Sequence, residues 1–192
     1  AGIEADRSII HTSSTSGVFS NPGQANYGAA KSGIATLSQI AYAFAFFHPW
    51  IFTYQRSRWR ESYRHLEITV DYPARLPNLE AEAQKLPVEA LRREVLQYSE
   101  AELNASLLET ALLPATVFRR QTDAVLYCAA FGAGDAAPTE SRVRWLTDVV
   151  RRFGCHDIGW AYWEYKGDFG LVGEDGQERT ALVQAVFAAE EA

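Results

Sequence analysis

The chain has 192 residues, a formal net charge of -6 at pH 7 and 47% hydrophobic residues. This is enough apolar sequence for a buried core, and it favours a soluble globular protein. The acidic balance argues against a surface for nucleic acid or anionic membrane, since either would need a basic patch. No stretch reaches the roughly 20 apolar residues of a membrane span, and no signal peptide is visible at the start. The sequence leaves the compartment open: the cytoplasm is favoured, and a mature secreted enzyme without disulfides is the alternative.

Predicted strands alternate with predicted helices along the chain. In chain order the predicted elements are strand 8–12, helix 24–40, strand 42–47, helices 87–98 and 102–120, strand 125–129, helix 140–153, strand 158–162 and helix 178–190. A long segment that contains Arg, Tyr and Pro residues follows the second strand and runs through Pro77. Alternation of this kind is typical of parallel β/α units.

The predicted fold class is therefore α/β, with parallel β/α units that form half of a TIM-type barrel, because a full barrel has eight units and about 250 residues. The alternative is a small open Rossmann-like sheet. Residues 1–41 and 42–192 are expected to make one compact domain together. Open strand edges would invite a second copy, so we predict a homodimer.

The cysteines and histidines predict no metal site. Cys128 and Cys155 lie in apolar or helix-end contexts, and two free thiols are expected. His11, His65 and His156 have no metal-ligand spacing. The arginines between residues 56 and 64 are interpreted as a solvated face.

Several motifs spread over residues 42–186 resemble one enzyme family. They are YAFAFFHPWIFTYQ at 42–55, YRHL at 63–66, YPARLP at 72–77, ESRVRWL at 140–146 and GWAYWEYKGDFGL at 159–171. Together they resemble the C-terminal half of family 5 glycoside hydrolases, the cellulase family. The resemblance implies a cleft that binds an oligosaccharide or β-glucan at the carboxyl ends of barrel strands.

The catalytic positions that this resemblance implies have lost their polar groups. The family nucleophile stands in a Gly-Glu-Phe-Gly stretch, and here the matching residues are AAFG at 129–132, with Ala130 at the nucleophile position. A family His-x-Tyr pair corresponds to Ala45 and Phe47. The segment that carries the acid/base has no match in this sequence. Retaining glycosidases need two carboxyl groups, so the resemblance implies binding without hydrolysis.

Six residues are candidates for contact with a sugar. Trp163 follows the last strand, where the family stacks the sugar next to the scissile bond. The other candidates are Trp160, Glu164, His48, Trp50 and Tyr54. Aromatic rings pack against the C–H faces of pyranose rings, and the polar side chains would accept or donate hydrogen bonds to hydroxyl groups.

Residues 7–40 resemble a different family, the short-chain dehydrogenases/reductases. The motifs are RSIIHTSSTSG at 7–17 and NPGQANYGAAKSG at 21–33. The resemblance implies catalytic roles for Ser14, Tyr27 and Lys31, with Lys31 lowering the pKa of the Tyr27 phenol one helical turn away. The family's glycine-rich phosphate-binding turn has no match, so these residues are interpreted as vestigial and no cofactor is expected; NAD or NADP is the alternative.

The sequence therefore predicts a degenerate, cellulase-like glycoside hydrolase fragment that binds β-glucan at most. One alternative is a fragment of an NAD(P)-dependent short-chain oxidoreductase. A second alternative is a structural or chimeric chain without a ligand, joined near Ala41.

Overall fold

The structure, a computed structural model, describes residues 41–76, 79–173 and 175–187. The elements are β1 Ala41–Phe46, α1 Trp50–Thr53, α2 Glu61–Arg64, β2 Ala74–Arg75, α3 Leu79–Gln84, α4 Glu89–Leu96, β3 Glu102–Leu103, α5 Ala105–Thr122, β4 Val125–Phe131, α6 Thr139–Cys155, β5 Ile158–Tyr162 and α7 Thr180–Phe187. The β/α unit predicted at residues 8–40 lies outside these ranges.

Within the described residues, β1, β4 and β5 form a parallel sheet with β4 in the centre. Each connection returns to the same edge of the sheet through helices, as parallel pairing requires. Ala45 on β1 stands opposite Ala130 on β4, after a register shift that follows Phe44. All three strands consequently deliver their carboxyl ends to one edge, where parallel β/α proteins carry their sites.

One face of this sheet buries aromatic side chains against helices. Side chains alternate along a strand, so the aromatic residues of β1 share one face and its alanines share the other. Tyr42 packs on Phe118 of α5 with ring centroids 4.7 Å apart, and Phe46 packs edge-on against Phe153 of α6 at 5.9 Å. Ala45, on the opposite face, is exposed. The core of the molecule therefore lies between the sheet and its helices.

Helix α6 supplies much of that core. Its buried apolar residues recur with helical spacing and are Trp145, Leu146, Val149, Val150 and Phe153. The indole N–H of Trp145 donates to the backbone oxygen of His48 over 2.8 Å, which ties the helix to the end of β1. This confirms the amphipathic helix that the sequence predicts at residues 140–153.

The segment between β1 and α5 is more ordered than the sequence predicts. It contains three short helices, α1, α2 and α3, in addition to α4, and the two-residue strands β2 and β3 pair antiparallel. The buried amide of Gln55 bonds both polar backbone groups of Val70, donating to its oxygen over 2.8 Å and accepting from its nitrogen over 3.0 Å. A buried amide side chain thus replaces backbone pairing in this part of the chain.

Two predicted boundaries were wrong for identifiable reasons. Helix α5 begins at Ala105, not at residue 102, because Glu102–Leu103 pairs with β2 and the Asn104 side chain then accepts from the Ser106 and Leu107 amides at 2.9 and 3.1 Å. Strand β4 extends to Phe131, two residues beyond the prediction, because Phe131 still pairs with Phe46 and Tyr162.

The cysteines are free, as the sequence predicts. Cys128 is buried on β4, and Cys155 is exposed at the end of α6. Burial raises the pKa of the Cys128 thiol to about 12, so this thiol stays protonated at neutral pH. Among the described helices, none combines the length and the apolar character needed to cross a bilayer.

The arginines at residues 56, 58 and 64 are exposed, as a solvated face predicts, but Arg60 departs from that prediction and Arg56 also makes specific contacts. Arg56 donates to the backbone oxygens of Leu66 and Glu67 at 3.2 and 3.1 Å. Arg60 is partly buried and pairs with Glu94 at 2.8 Å. These side chains hold loops together, and a helical or strand pattern does not reveal such partners because they are distant in sequence.

Candidate functional site

An aromatic cleft of about 490 Å³ opens at the carboxyl ends of β1, β4 and β5. Its lining residues are Phe47, Tyr54, Trp59, Arg60, Ala130, Trp163 and Phe169. Phe47 directly follows β1, Ala130 is the penultimate residue of β4, and Trp163 directly follows β5. The parallel sheet therefore brings together residues that are far apart in sequence.

Trp163 forms one wall of the cleft and is 44% exposed. Its backbone N–H donates to the Phe131 oxygen over 2.9 Å, which continues the pairing of β4 and β5 by one residue. Gly132 packs so closely that a β-carbon there would lie 2.1 Å from the Trp163 oxygen. The backbone of Trp163 is thus fixed while its indole stays accessible.

Phe169 closes the cleft from below and is only 1% exposed. Its ring meets Phe47 and Tyr54 edge-on, at centroid distances of 5.9 and 5.4 Å. Its backbone oxygen accepts from the hydroxyl of Tyr162 over 2.8 Å. The loop after β5 therefore supplies both an exposed aromatic wall and a buried aromatic floor.

A cation lies at one side of the cleft. The guanidinium carbon of Arg60 is 3.8 Å from the ring centroid of Trp50 and 5.8 Å from that of Tyr54. Burial, and secondarily the charge of Arg60, lowers the pKa of His48, so this histidine is neutral at pH 7. Burial raises the pKa of Tyr54, whose phenol remains a hydrogen-bond donor across the neutral range.

The predicted sugar contacts fall into two groups. Trp163 and Tyr54 line the cleft, whereas the lining residues do not include Trp50 and His48, whose rings stack at 4.8 Å beside Arg60. Both residues are partly exposed and lie outside the lining of the cleft.

Trp160 and Glu164 do not line the cleft either. The Trp160 ring packs against Phe131 at 5.4 Å and Phe187 at 6.1 Å, on the helix side of the sheet. The Glu164 carboxylate turns back on its own loop, where it accepts weakly from the Phe169 amide over 3.5 Å. We therefore assign Trp160 to the core and Glu164 to the loop.

Sequence reasoning missed four lining residues: Phe47, Trp59, Arg60 and Phe169. The sequence places Phe47 just after a strand, in the position of a family tyrosine, but does not indicate it as a sugar contact. Trp59 and Arg60 lie in the segment whose arginines are interpreted as a solvated face. Phe169 lies inside the run 159–171 that carries the resemblance, where an aromatic residue between glycines was the available signal.

The remaining predictions concern the dehydrogenase-like residues and a metal site. Ser14, Tyr27 and Lys31 lie outside the described residues, so the dehydrogenase-like arrangement stays a sequence prediction. In the part of the chain that the structure describes, no three His, Cys, Asp or Glu side chains converge as a metal site requires.

The described lining of the cleft carries few charged groups. Its lining is mostly aromatic, its charged group is Arg60, and the residues that line it in the described structure include no carboxylate. Asp168, in the loop after β5, pairs with Arg58, with nitrogen and oxygen 3.4 Å apart, and does not line the cleft. Pockets that combine aromatic walls with a few polar groups are typical ligand sites.

Comparison with known proteins indicates a cellulase-like region. No family model matches the chain. Endoglucanase C of Acetivibrio thermocellus is 36% identical over 137 residues, which cover 71% of this chain and 39% of the relative. Endoglucanase C307 of Clostridium sp. (strain F1) is 35% identical with the same coverage. The chain thus spans about two fifths of the length of these curated relatives.

Solved structures agree on the fold. Cellulose synthase subunit Z of Clostridioides difficile superposes with a TM-score of 0.56 at 16% identity, over 77% of this chain and 40% of that protein. Cel5A of Thermotoga maritima, solved in complex with cellobiose, gives a TM-score of 0.51 at 20% identity, over 77% and 39%. These neighbours are TIM-barrel glycoside hydrolases, and the parallel β/α units described above are consistent with part of such a barrel. The chain therefore contains a region similar to cellulases of glycoside hydrolase family 5.

Proposed function

We propose that this chain binds β-linked glucan oligosaccharides in the aromatic cleft and does not hydrolyse them. The observation that carries the proposal is the partly exposed Trp163, which lines a cavity of about 490 Å³ together with Phe169 and Phe47. An aromatic face of this kind fits the C–H surface of a pyranose ring. The choice of glucan is supported by the similarity to endoglucanases.

Polar groups in the cleft suit sugar hydroxyls. The Tyr54 phenol, protonated at neutral pH, can donate a hydrogen bond, and Arg60 retains N–H groups beyond the one that meets Glu94. Both side chains are held in place, since Arg60 is stacked on Trp50 and Tyr54 packs on Phe47 at 5.2 Å. Such preorganisation reduces the entropy lost on binding.

We expect no hydrolysis because the described lining of the cleft lacks the carboxyl groups that the reaction requires. A retaining glycosidase needs two of them about 5 to 5.5 Å apart, and an inverting enzyme needs two that are further apart. Ala130 occupies the position that the resemblance gives to the nucleophile, and the described lining offers no carboxylate in its place. A methyl group cannot form a glycosyl ester, so bound sugar should leave unchanged.

Replacing Trp163 by alanine should raise the dissociation constant for cello-oligosaccharides about thirtyfold, which is the loss of about 2 kcal/mol expected for a central tryptophan. The measurement is calorimetric titration of the intact chain with cellotetraose. Tyr165→Ala is the matched control, because Tyr165 is an aromatic residue of the same loop that is 76% exposed and does not line the cleft. Its affinity should stay near that of the unchanged chain.

The same titration can refute the proposal in two ways. Silence toward cellotetraose, in a chain shown to be folded by circular dichroism, would exclude a surviving sugar cleft. Equal weakening by Trp163→Ala and Tyr165→Ala would mean that binding does not occur at Trp163. A parallel titration with NADPH tests the dehydrogenase-like alternative for residues 7–40.

Installing a carboxylate at the nucleophile position should not produce an enzyme. In the Ala130→Glu variant the new side chain would still lack a partner, since the other described lining residues carry no carboxyl group to protonate the leaving oxygen. We expect no release of 4-nitrophenol from 4-nitrophenyl cellobioside above the level of the unchanged chain. If the Ala130→Glu variant released 4-nitrophenol and a further Trp163→Ala substitution abolished this activity, a second carboxyl group would have to lie near the cleft.

A further inference from the structure

A second cavity, of about 340 Å³, lies between the first turns of α6 and α7. Its lining residues are Asp135, Thr139, Arg142, Arg179, Thr180, Ala181 and Leu182. None of them lines the aromatic cleft, so the two cavities are separate.

Arg142 is the unusual residue of this cavity. The residue is only 3% exposed, and its Nε and Nη2 atoms have neither solvent contact nor a hydrogen-bond partner. A guanidinium stays charged in proteins, and a buried charge without a partner is costly. Burial lowers the pKa of Arg142, and the interactions with Tyr162 and Asp135 offset this effect only in part. The neighbouring Tyr162 hydroxyl donates to Phe169 and brings no negative charge.

Two helix N-termini line the same cavity. Helix α6 has 17 residues and is capped by Pro138, which provides no side-chain acceptor for its free N–H groups. In α7, the amides of Leu182 and Val183 donate to the Arg179 oxygen at 2.8 and 3.1 Å. The amides of Thr180 and Ala181 come earlier in the helix, before its first backbone hydrogen bonds. Free N–H groups and the helix dipole together favour an anion at such ends.

The charges of the lining also favour an anion. Arg179 donates to the Gly170 oxygen over 3.0 Å, and its distance to the Asp135 carboxylate is 3.7 Å, which is long for an ion pair. Asp135 is half-exposed and lies toward the rim, whereas Arg142 is buried. Two cations and one carboxylate leave the interior of the cavity positive.

We propose that this cavity binds a tetrahedral oxyanion, a phosphate or sulfate group, between Arg142, Arg179 and the first turns of α6 and α7. A tetrahedral anion has oxygens that point in several directions and can accept from two arginines and from two helix ends at once. A flat carboxylate would engage one guanidinium and leave the other donors unused. Because Arg179 also holds the Gly170 oxygen, the bound anion would stabilise the loop that carries Trp163.

The test is a titration of the ¹⁵N-labelled intact chain with sodium phosphate, at an ionic strength held constant with sodium chloride and followed by NMR. We expect saturable shifts of the amides of Thr139, Glu140, Thr180 and Ala181. Arg142→Gln should weaken phosphate binding by about tenfold or more, the usual effect of losing hydrogen bonds to a charged group. Arg151→Gln removes the same charge from an exposed position of α6 and should leave the affinity unchanged.

Two further arms fix the ligand class. Sulfate should compete with phosphate for the same amides, and acetate at equal concentration should not; equal binding of acetate would overturn the assignment to a tetrahedral anion. If Arg142→Gln does not fold, Arg179→Gln and the map of shifted amides in the unchanged chain decide the matter. Shifts that fail to saturate, that fall elsewhere, or that are the same in Arg142→Gln and Arg151→Gln would overturn the proposal.

Discussion

Replacing Phe131 by alanine should lower the free energy of unfolding by about 3 to 5 kcal/mol, the usual cost of deleting a fully buried aromatic side chain. The Phe131 ring is 0% exposed and meets four aromatic rings. Two belong to α6, Trp145 at 6.5 Å and Phe153 at 5.2 Å, and two belong to β5, Trp160 and Tyr162, both at 5.4 Å. The ring therefore joins the central strand to an adjacent strand and to the main helix.

The cavity left by Phe131→Ala would not fill easily. Its neighbours are rigid rings fixed by other contacts, since the Trp145 indole donates to His48 and the Tyr162 hydroxyl donates to Phe169. A site that cannot collapse has the larger cavity penalty.

Urea unfolding followed by circular dichroism measures this loss, and Phe187→Ala is the matched control. Phe187 is 53% exposed at the end of α7, so the same chemical change there should cost less than about 1 kcal/mol. The slope of the free energy of unfolding against urea concentration should be similar in both variants if unfolding stays two-state. Similar losses in the two variants would show that the packing around Phe131 does not hold the sheet to α6.

The alternation of strands and helices was predictable from residue patterns because it rests on local periodicity. The strand at Ile158–Tyr162 and the helix Thr139–Cys155 matched their predicted positions to within two residues. Their apolar residues recur with periods of two and about 3.6, and turns or helix ends interrupt the patterns. These periodic patterns are present in the sequence because each strand or helix must bury one of its faces.

The cleft was predictable only in part, because its geometry depends on contacts between distant residues. Trp163 could be identified because it follows a strand within the run that resembles the glycoside hydrolase family. Trp160, three residues earlier, was a secondary candidate, and alternation along the strand groups it with the core residue Ile158. Arg60 was invisible as a lining residue, since its position depends on Glu94, 34 residues away. Loops that fold through such side-chain partners have no periodic signal.

Two glycine-to-alanine substitutions should change stability in opposite directions. Gly132→Ala would place a β-carbon 2.1 Å from the Trp163 backbone oxygen, and a backbone atom cannot move aside as a flexible side chain can. We expect a loss of about 1 to 3 kcal/mol, the range for overpacking a filled site. At Gly154, on the exposed side of α6, an added β-carbon meets nothing within 4 Å. Alanine there should add about 0.4 to 1 kcal/mol, because it restricts the unfolded chain and favours the helix.

The pair also separates stability from the geometry of the cleft. Gly132→Ala should weaken cellotetraose binding in the fraction of molecules that remains folded, because relief of the clash must displace Trp163, whose N–H bonds Phe131. Gly154→Ala should leave that affinity unchanged. Urea unfolding and calorimetric titration of both variants give the two readouts. If Gly132→Ala bound cellotetraose as tightly as the unchanged chain, Trp163 would not need its present position, and the close packing of Gly132 would be a requirement of the fold alone.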